Sequence, residues 1–195
     1  MIRTIFLTAV FLATALGVGI GSVWYALNTN RSFGAIQIGS WIAYPTAGTP
    51  DADPYSIARR ARDAELPLGQ AEGLPFYAKT DAEGRTLSGR CNYRLVGKAP
   101  AARFWTIYPA DQALVAISTS TYRNGVLHSR QLLRAPDGSF TISIGPDPQP
   151  GNWIGVSAPG PVVFVLTLYD TQIASAVTSA GQDFPSIVRI DCGDA

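Results

Sequence analysis

Residues 4–27 carry no charged side chain, whereas the rest of the chain places its apolar residues in short alternating stretches broken by turn formers. At a helical rise of about 1.5 Å per residue, this first run reaches roughly 36 Å, enough to cross a bilayer core with tilt. Trp24 and Tyr25 stand at its outer end, where amphipathic rings favour the headgroup level. Arg3 and the α-amino group precede the run and Arg31 follows it, a weak bias that favours an amino end inside. A cleaved signal peptide is the competing reading, but its apolar region spans only about 7–15 residues. Cleavage, if it occurs, is expected between positions 17 and 22. No cysteine follows the run, so it is not a lipoprotein signal. The expected layout is an anchor over residues 1–30 and a globular domain over 31–195.

The small residues in this run admit two further readings. Ala13, Gly17 and Gly21 recur every four residues, a spacing that lets two anchors approach closely, although glycine is common in membrane helices. Gly17, Gly19 and Gly21 imitate part of a dinucleotide fingerprint, but no strand precedes them.

Beyond the anchor, Ile36 and Ile38 alternate with polar neighbours up to Trp41, which predicts a first strand followed by a turn-rich loop over 45–53. Asp53 and Pro54 then predict a capped helix to about residue 65. Ile57, Ala61 and Ala64 share one face of it, with Arg59, Arg60 and Arg62 on a solvated side. A strand over 74–79 leads to a tight turn at 81–84. The next strand alternates cleanly, with Leu87, Cys91, Tyr93 and Leu95 on one face and Arg90, Asn92 and Arg94 on the other.

Strands follow over 103–108, 114–121 and 126–133, with Asn124-Gly125 as a two-residue hairpin turn that sets Thr121 opposite His128. A turn at 136–138 precedes a strand through Phe140, Ile142 and Ile144, and a proline-rich loop runs over 145–152. Residues 162–169 are apolar on both alternating faces, as expected of a central strand covered on both sides. Asp170 is positioned to cap a short helix ending before Gly181, and 187–190 forms a last strand. Many short strands with tight turns predict a mainly β fold, an antiparallel β-sandwich or jelly roll with one or two short helices.

Fifteen basic and fourteen acidic residues leave a net charge of +1, which gives no electrostatic reason to expect nucleic acid as a partner or a strongly anionic substrate. The two cysteines, Cys91 and Cys192, fall in the part expected outside the cytoplasm, where a disulfide between them is expected; two separate buried thiols are the alternative. These features predict a single-pass protein of the bacterial inner membrane, held through residues 4–27, with its amino end cytoplasmic and its main domain in the periplasm.

The strings RFWTIYPADQALVAIS at 103–118, PDGSFTISIGPDPQPGNWI at 136–154 and VVFVLTLYD at 162–170 resemble a bacterial family, domain of unknown function 1214. The upstream PDADPYSIARRAR at 50–62 and DAEGRTLSGRCNYRL at 81–95 resemble its short, membrane-anchored members, so the resemblance covers most of residues 40–190. It implies a jelly-roll-like β domain often found beside a partner domain, and it carries over no catalytic residue. The chain departs from the family pattern after FWTIY, where Tyr108 is followed by Pro109 and residues 117–122 are rich in serine and threonine.

Candidate chemistry is sparse. His128 is the only histidine and the one candidate general base, and no thiolate or carboxylate spacing around it builds a metal site. No nucleophile elbow, phosphate loop or other cofactor pattern is present. Glu72, Asp81, Glu83, Asp111, Asp137 and Asp170 sit at expected turns or caps, where local hydrogen bonding explains them. The polar strand face of Arg90, Asn92 and Arg94, with Trp105, Asn152 and Trp153, supplies candidate ligand-binding residues; a solvated outer face with core tryptophans is the plainer alternative. The expected function is a non-catalytic envelope module that binds a small molecule, glycan or partner protein. The alternatives are an envelope enzyme using His128, an arginine and a carboxylate, and a structural assembly protein that forms a homo-oligomer.

Overall fold

The computed structural model describes residues 1–28, 34–63, 66–69, 71–117, 125–171 and 183–192. The chain begins with helix α1 (Ile2–Asn28), whose portion Ile2–Tyr25 is long and apolar enough to cross a membrane, with a mean hydropathy of 2.0. Three of its hydroxyls bond within the helix. The hydroxyls of Thr8 and Thr14 each donate to a carbonyl one turn earlier at 2.8 Å, and Ser22 donates to the Gly19 carbonyl at 2.9 Å. Such bonding is what an apolar surrounding requires of a hydroxyl. Gly17, Gly19 and Gly21 all lie inside α1, so they form no phosphate-binding turn.

Strands β1 (Ile36–Ile38) and β2 (Trp41–Ala43) come next, then helix α2 (Pro54–Asp63) and strand β3 (Gly73–Ala78). These are followed by β4 (Cys91–Gly97), β5 (Phe104–Ala110), β6 (Leu127–His128), β7 (Phe140–Gly145), β8 (Asn152–Gly155), β9 (Val163–Tyr169) and β10 (Ser186–Cys192). Two sheets result: six strands in the order β1-β2-β3-β9-β5-β6, and four in the order β10-β4-β7-β8. The fold is mainly β, as expected. Among the described strands every pairing is antiparallel except β7 with β8, which is parallel.

The core lies between the inner faces of the two sheets. From the large sheet come Trp41, Phe76, Trp105, Ile107, Phe164, Leu166 and Leu168; from the small sheet, Tyr93, Leu95, Phe140, Ile142, Ile144, Ile154 and Ile187. Tyr93 meets Phe164 edge-to-face at 5.5 Å, and Trp105 lies against Phe140 at 5.3 Å. Two core rings have their polar ends satisfied: the Trp41 indole N–H donates to the Pro185 carbonyl at 2.8 Å, and the Tyr93 hydroxyl accepts the Ser88 N–H at 2.8 Å. Strand β9 sits between β3 and β5, with Phe164, Leu166 and Leu168 in the main core and Val163 and Val165 packed with Ala110 on the reverse face. That double burial explains why its sequence is apolar on both faces apart from the buried Thr167.

The predicted cap of α2 is present, with Asp53 Oδ1 accepting the N–H groups of Tyr55 at 3.1 Å and Ser56 at 3.0 Å. An Asp53→Ala variant is expected to lose about 1 kcal/mol of helix stability. Faster amide exchange at Tyr55 and Ser56 with an unchanged global melting temperature would show that the loss stays local.

Several expected elements differ. The strand expected from Ile36 to Trp41 is a hairpin, because Gly39 takes φ +58 and turns the chain so that Ile38 pairs Trp41. The strand expected over 126–133 shortens to Leu127–His128 and turns at once, with the Gln131 N–H bonded to the His128 carbonyl. Of the strand expected over 114–121, the described part makes a single bridge, Ala110 to Ala116, after Leu114 adopts φ +63. His128 stands opposite Thr106. The expected Asn124-Gly125 turn, the Thr121 pairing and the helix after Asp170 lie wholly or partly outside the described residues. Strand β8 lies where no strand was expected.

Candidate functional site

Alternation along β4 sends Cys91, Tyr93 and Leu95 into the core and leaves Asn92 and Arg94 on the outer face of the four-stranded sheet. Register then decides what stands beside them. Arg94 pairs with Val188 on β10 and Ser143 on β7, and Ser143 pairs in turn with Trp153 on β8. Paired residues share a face, so Val188, Arg94, Ser143 and Trp153 form one row across all four strands. The next row is opened by a glycine: a Cβ on Gly145 would stand 1.9 Å from Asn92 Oδ1, so the Asn92 amide lies over Gly145.

Among the described residues, the side chains of Arg90, Asn92 and Arg94 make no hydrogen bond or ion pair within the chain. A shallow pocket of about 290 Å³ adjoins the row, lined in part by Leu133, Thr141, Ser143, Pro150 and Asn152. Asn152 builds its wall. Its Nδ2 donates to the carbonyls of Leu133 at 2.8 Å and Thr141 at 2.9 Å, while its Oδ1 accepts the Leu133 N–H at 2.8 Å. The Cys91–Cys192 disulfide joins β4 to β10 one residue from Asn92, holding that edge of the face.

The remaining sequence candidates are placed elsewhere. Trp105 is in the core, with the Arg134 guanidinium 5.9 Å from its ring, and Trp153 lies on the outer side of the small sheet, nearly covered. Arg90 is exposed in the turn before β4. His128 belongs to the other sheet. Its ring lies 5.4 Å from Phe104, and its Nδ1 accepts the Arg130 N–H at 3.3 Å. Among the described residues no carboxylate pairs with it, and none of the described His, Cys, Asp and Glu residues cluster as a metal site.

A second cavity, of about 620 Å³, lies between the β1–β2 hairpin, residues 80–84 and residues 183–186. At its base is Asp81, whose side chain is wholly buried. Its Oδ1 accepts the N–H groups of Glu83 at 3.2 Å and Arg85 at 2.9 Å; its Oδ2 meets Arg85 Nε at 2.9 Å. Arg189 Nε approaches Oδ2 at 3.1 Å, too poorly aligned for a hydrogen bond but close enough for an ion pair. Burial works to raise the Asp81 pKa. The Arg85 hydrogen bonds and the charges of Arg85 and Arg189 outweigh it and hold the carboxyl below its ordinary range. The turn role expected for Asp81 is present, but its link to Arg189 had no local signal.

Sequence reasoning also missed an aromatic patch on the reverse face of the large sheet. Tyr77 and Tyr108 both flank Val165 on neighbouring strands, and Tyr169 pairs with Phe104. Burial, then the nearby Tyr169, raises the pKa of Tyr108. An alternating tyrosine on each of three strands was the signal available.

The fold is similar to that of the VPA0106 protein from Vibrio parahaemolyticus, with a TM-score of 0.60 and 16% identity over 90% of this chain and 43% of that one. An uncharacterized protein from Burkholderia cenocepacia matches with a TM-score of 0.44 and 20% identity over 89% of this chain and 40% of that one. The chain therefore spans less than half the length of either. No curated protein is detectably similar to it. The family described as "Protein of unknown function (DUF1214)" matches residues 72–173, just over half of the chain and the stretch from the residue before β3 to just past β9, and the chain belongs to that family.

Proposed function

We propose that this protein is a non-catalytic binding module of the cell envelope, anchored in the bacterial inner membrane by α1 with its sheets in the periplasm and its amino end in the cytoplasm. The reading rests on one observation above all: Arg94, Ser143 and Trp153 stand in a row beside Asn92, with the Arg94 and Asn92 side chains uncommitted within the described chain. A guanidinium, an amide and a hydroxyl on a rigid sheet suit a ligand that carries an oxyanion and hydroxyl groups, such as an acidic small molecule or glycan. The disulfide supports an oxidising compartment, since such bonds seldom persist in a reducing cytosol.

Native mass spectrometry of the full chain extracted from bacterial membranes tests the assignment. A non-covalent adduct that is lost on denaturation is expected, and its retention by Arg94→Ala is expected to fall about tenfold, the loss of one charge-assisted hydrogen bond. An Arg94→Ala protein that keeps the adduct undiminished would remove the ligand from this face. Gly145→Ala provides a second probe, because the new Cβ must displace the Asn92 amide. It is expected to weaken the same adduct while leaving the Arg94 guanidinium in place.

A further inference from the structure

Helix α2 turns no large apolar residue into the core. Ile57, Ala58 and Ala61 are exposed, and at 100° per residue they share one face with Pro54. Arg60 and Arg62 fall on either flank of that face, the arrangement in which long cationic side chains lie along apolar surface and carry their charge outward. Tyr55 lies beside Arg62 and is 47% exposed, and Leu66, just beyond the helix, is 95% exposed. A helix with one apolar stripe between flanking arginines, too polar over its whole length to enter hydrocarbon, belongs at an interface rather than across a membrane. Two observations say which interface: α2 comes into contact with α1, and α1 ends in Trp24 and Tyr25, side chains that favour the headgroup level.

We propose that α2 is an interfacial helix lying in the phospholipid headgroup layer of the membrane that α1 crosses, with Ile57, Ala58 and Ala61 toward the acyl chains and Arg60 toward lipid phosphates. The inference rests on the reading of α1 as a span. It adds a second attachment, which fixes how the sheets stand over the bilayer: α1 alone is a tether, whereas a tether plus a surface helix holds the domain in one orientation. The apolar area of α2 is small, so its attachment depends on α1 keeping it at the surface, an effective-concentration effect.

The test is hydroxyl-radical footprinting of the full chain in lipid nanodiscs of phosphatidylethanolamine and phosphatidylglycerol, one copy per disc. Leu133 and Val115, 69% and 63% exposed, serve as solvent references, and Phe11 and Leu12 in α1 report the span. Tyr55, Ile57 and Leu66 are expected to be oxidised about fivefold more slowly than their exposure predicts from the references, as buried interfacial side chains are. Ile57→Asp, a change at an exposed position, is expected to restore labelling of Tyr55 and Leu66. Protected Phe11 and Leu12 together with freely labelled Ile57 and Leu66 would overturn the inference while leaving the span intact. Labelling of Phe11 and Leu12 would overturn both. Protection of α2 that appears only when discs hold two copies would assign the face to a second chain instead, and so would also overturn the inference.

Discussion

Replacing both Cys91 and Cys192 by serine is expected to lower the unfolding free energy by about 4 kcal/mol, close to the chain-entropy value for a loop of this size. The bridge spans 101 residues of sequence, so the unfolded chain regains much freedom when it is cut. The folded side has a matching weakness. Strand β10 is at the edge of its sheet, pairs among the described strands with β4 alone, and of its side chains Ile187 alone is fully buried. The disulfide secures the last residue of that strand, so its loss is expected to fray β10 first. Urea unfolding of the serine variant against the oxidised protein measures the effect. A difference under about 1 kcal/mol would mean that strand pairing alone secures β10. Amide exchange distinguishes the two: early loss of protection should begin at Cys192 and move toward Ser186.

Removing the carboxylate of Asp81 is the second large perturbation, expected to cost about 3 kcal/mol in Asp81→Ala. That is the low end for breaking a buried ion pair, chosen because Arg85 keeps half of its side chain in water. The loss has two parts: the N–H groups of Glu83 and Arg85 lose their acceptor, and Arg189, mostly covered, loses its counter-charge. The Arg189 guanidinium then keeps only the Thr86 carbonyl and the face of Tyr93, 5.5 Å away.

Asp81 also sets the acid side of the stability profile. Its folded pKa lies below the ordinary value, near 3.9 in an unfolded chain, so the unfolded state takes up a proton first as pH falls. Its contribution is therefore complete above about pH 4 and is lost as pH falls through the folded pKa. Asp81→Asn is expected to flatten that part of the curve. If the variant and the natural protein lose stability in parallel below pH 4, Asp81 is not the responsible group. Because Arg189 and Cys192 both lie on β10, the two perturbations are expected to be non-additive, with a coupling of about 1 kcal/mol in a double-mutant cycle.

Several features were already determined by the sequence, and each rests on local physics. Residues 4–27 form one long apolar helix because length and lack of charge are properties of the run itself. Asp53 caps α2 because its carboxylate reaches only the next few amides. The alternation of Cys91, Asn92, Tyr93 and Arg94 survives unchanged in β4, since side chains on a strand must point to opposite faces. The doubly apolar run at 163–169 is a central strand for the same reason. The family was readable too, from separated strings in the right order.

Only the tertiary structure decided what those elements meet. Gly39 was expected to continue an alternating strand, and its positive φ turns the chain instead. The parallel pairing of β7 with β8 depends on a crossover through the intervening loop, which periodicity does not report. Trp105 and Trp153 look equivalent as sequence, yet one faces the core and the other the outer side of the small sheet. The same holds for chemistry. Asp81 and Arg189 meet across more than a hundred residues, and Arg94 stands in line with Ser143 and Trp153 only because three strands pair in one register. Periods, caps and lengths are set within a few residues of chain, whereas register and sheet order are set by which apolar faces pack together, and a polar face that runs across four strands exists only once that packing is complete.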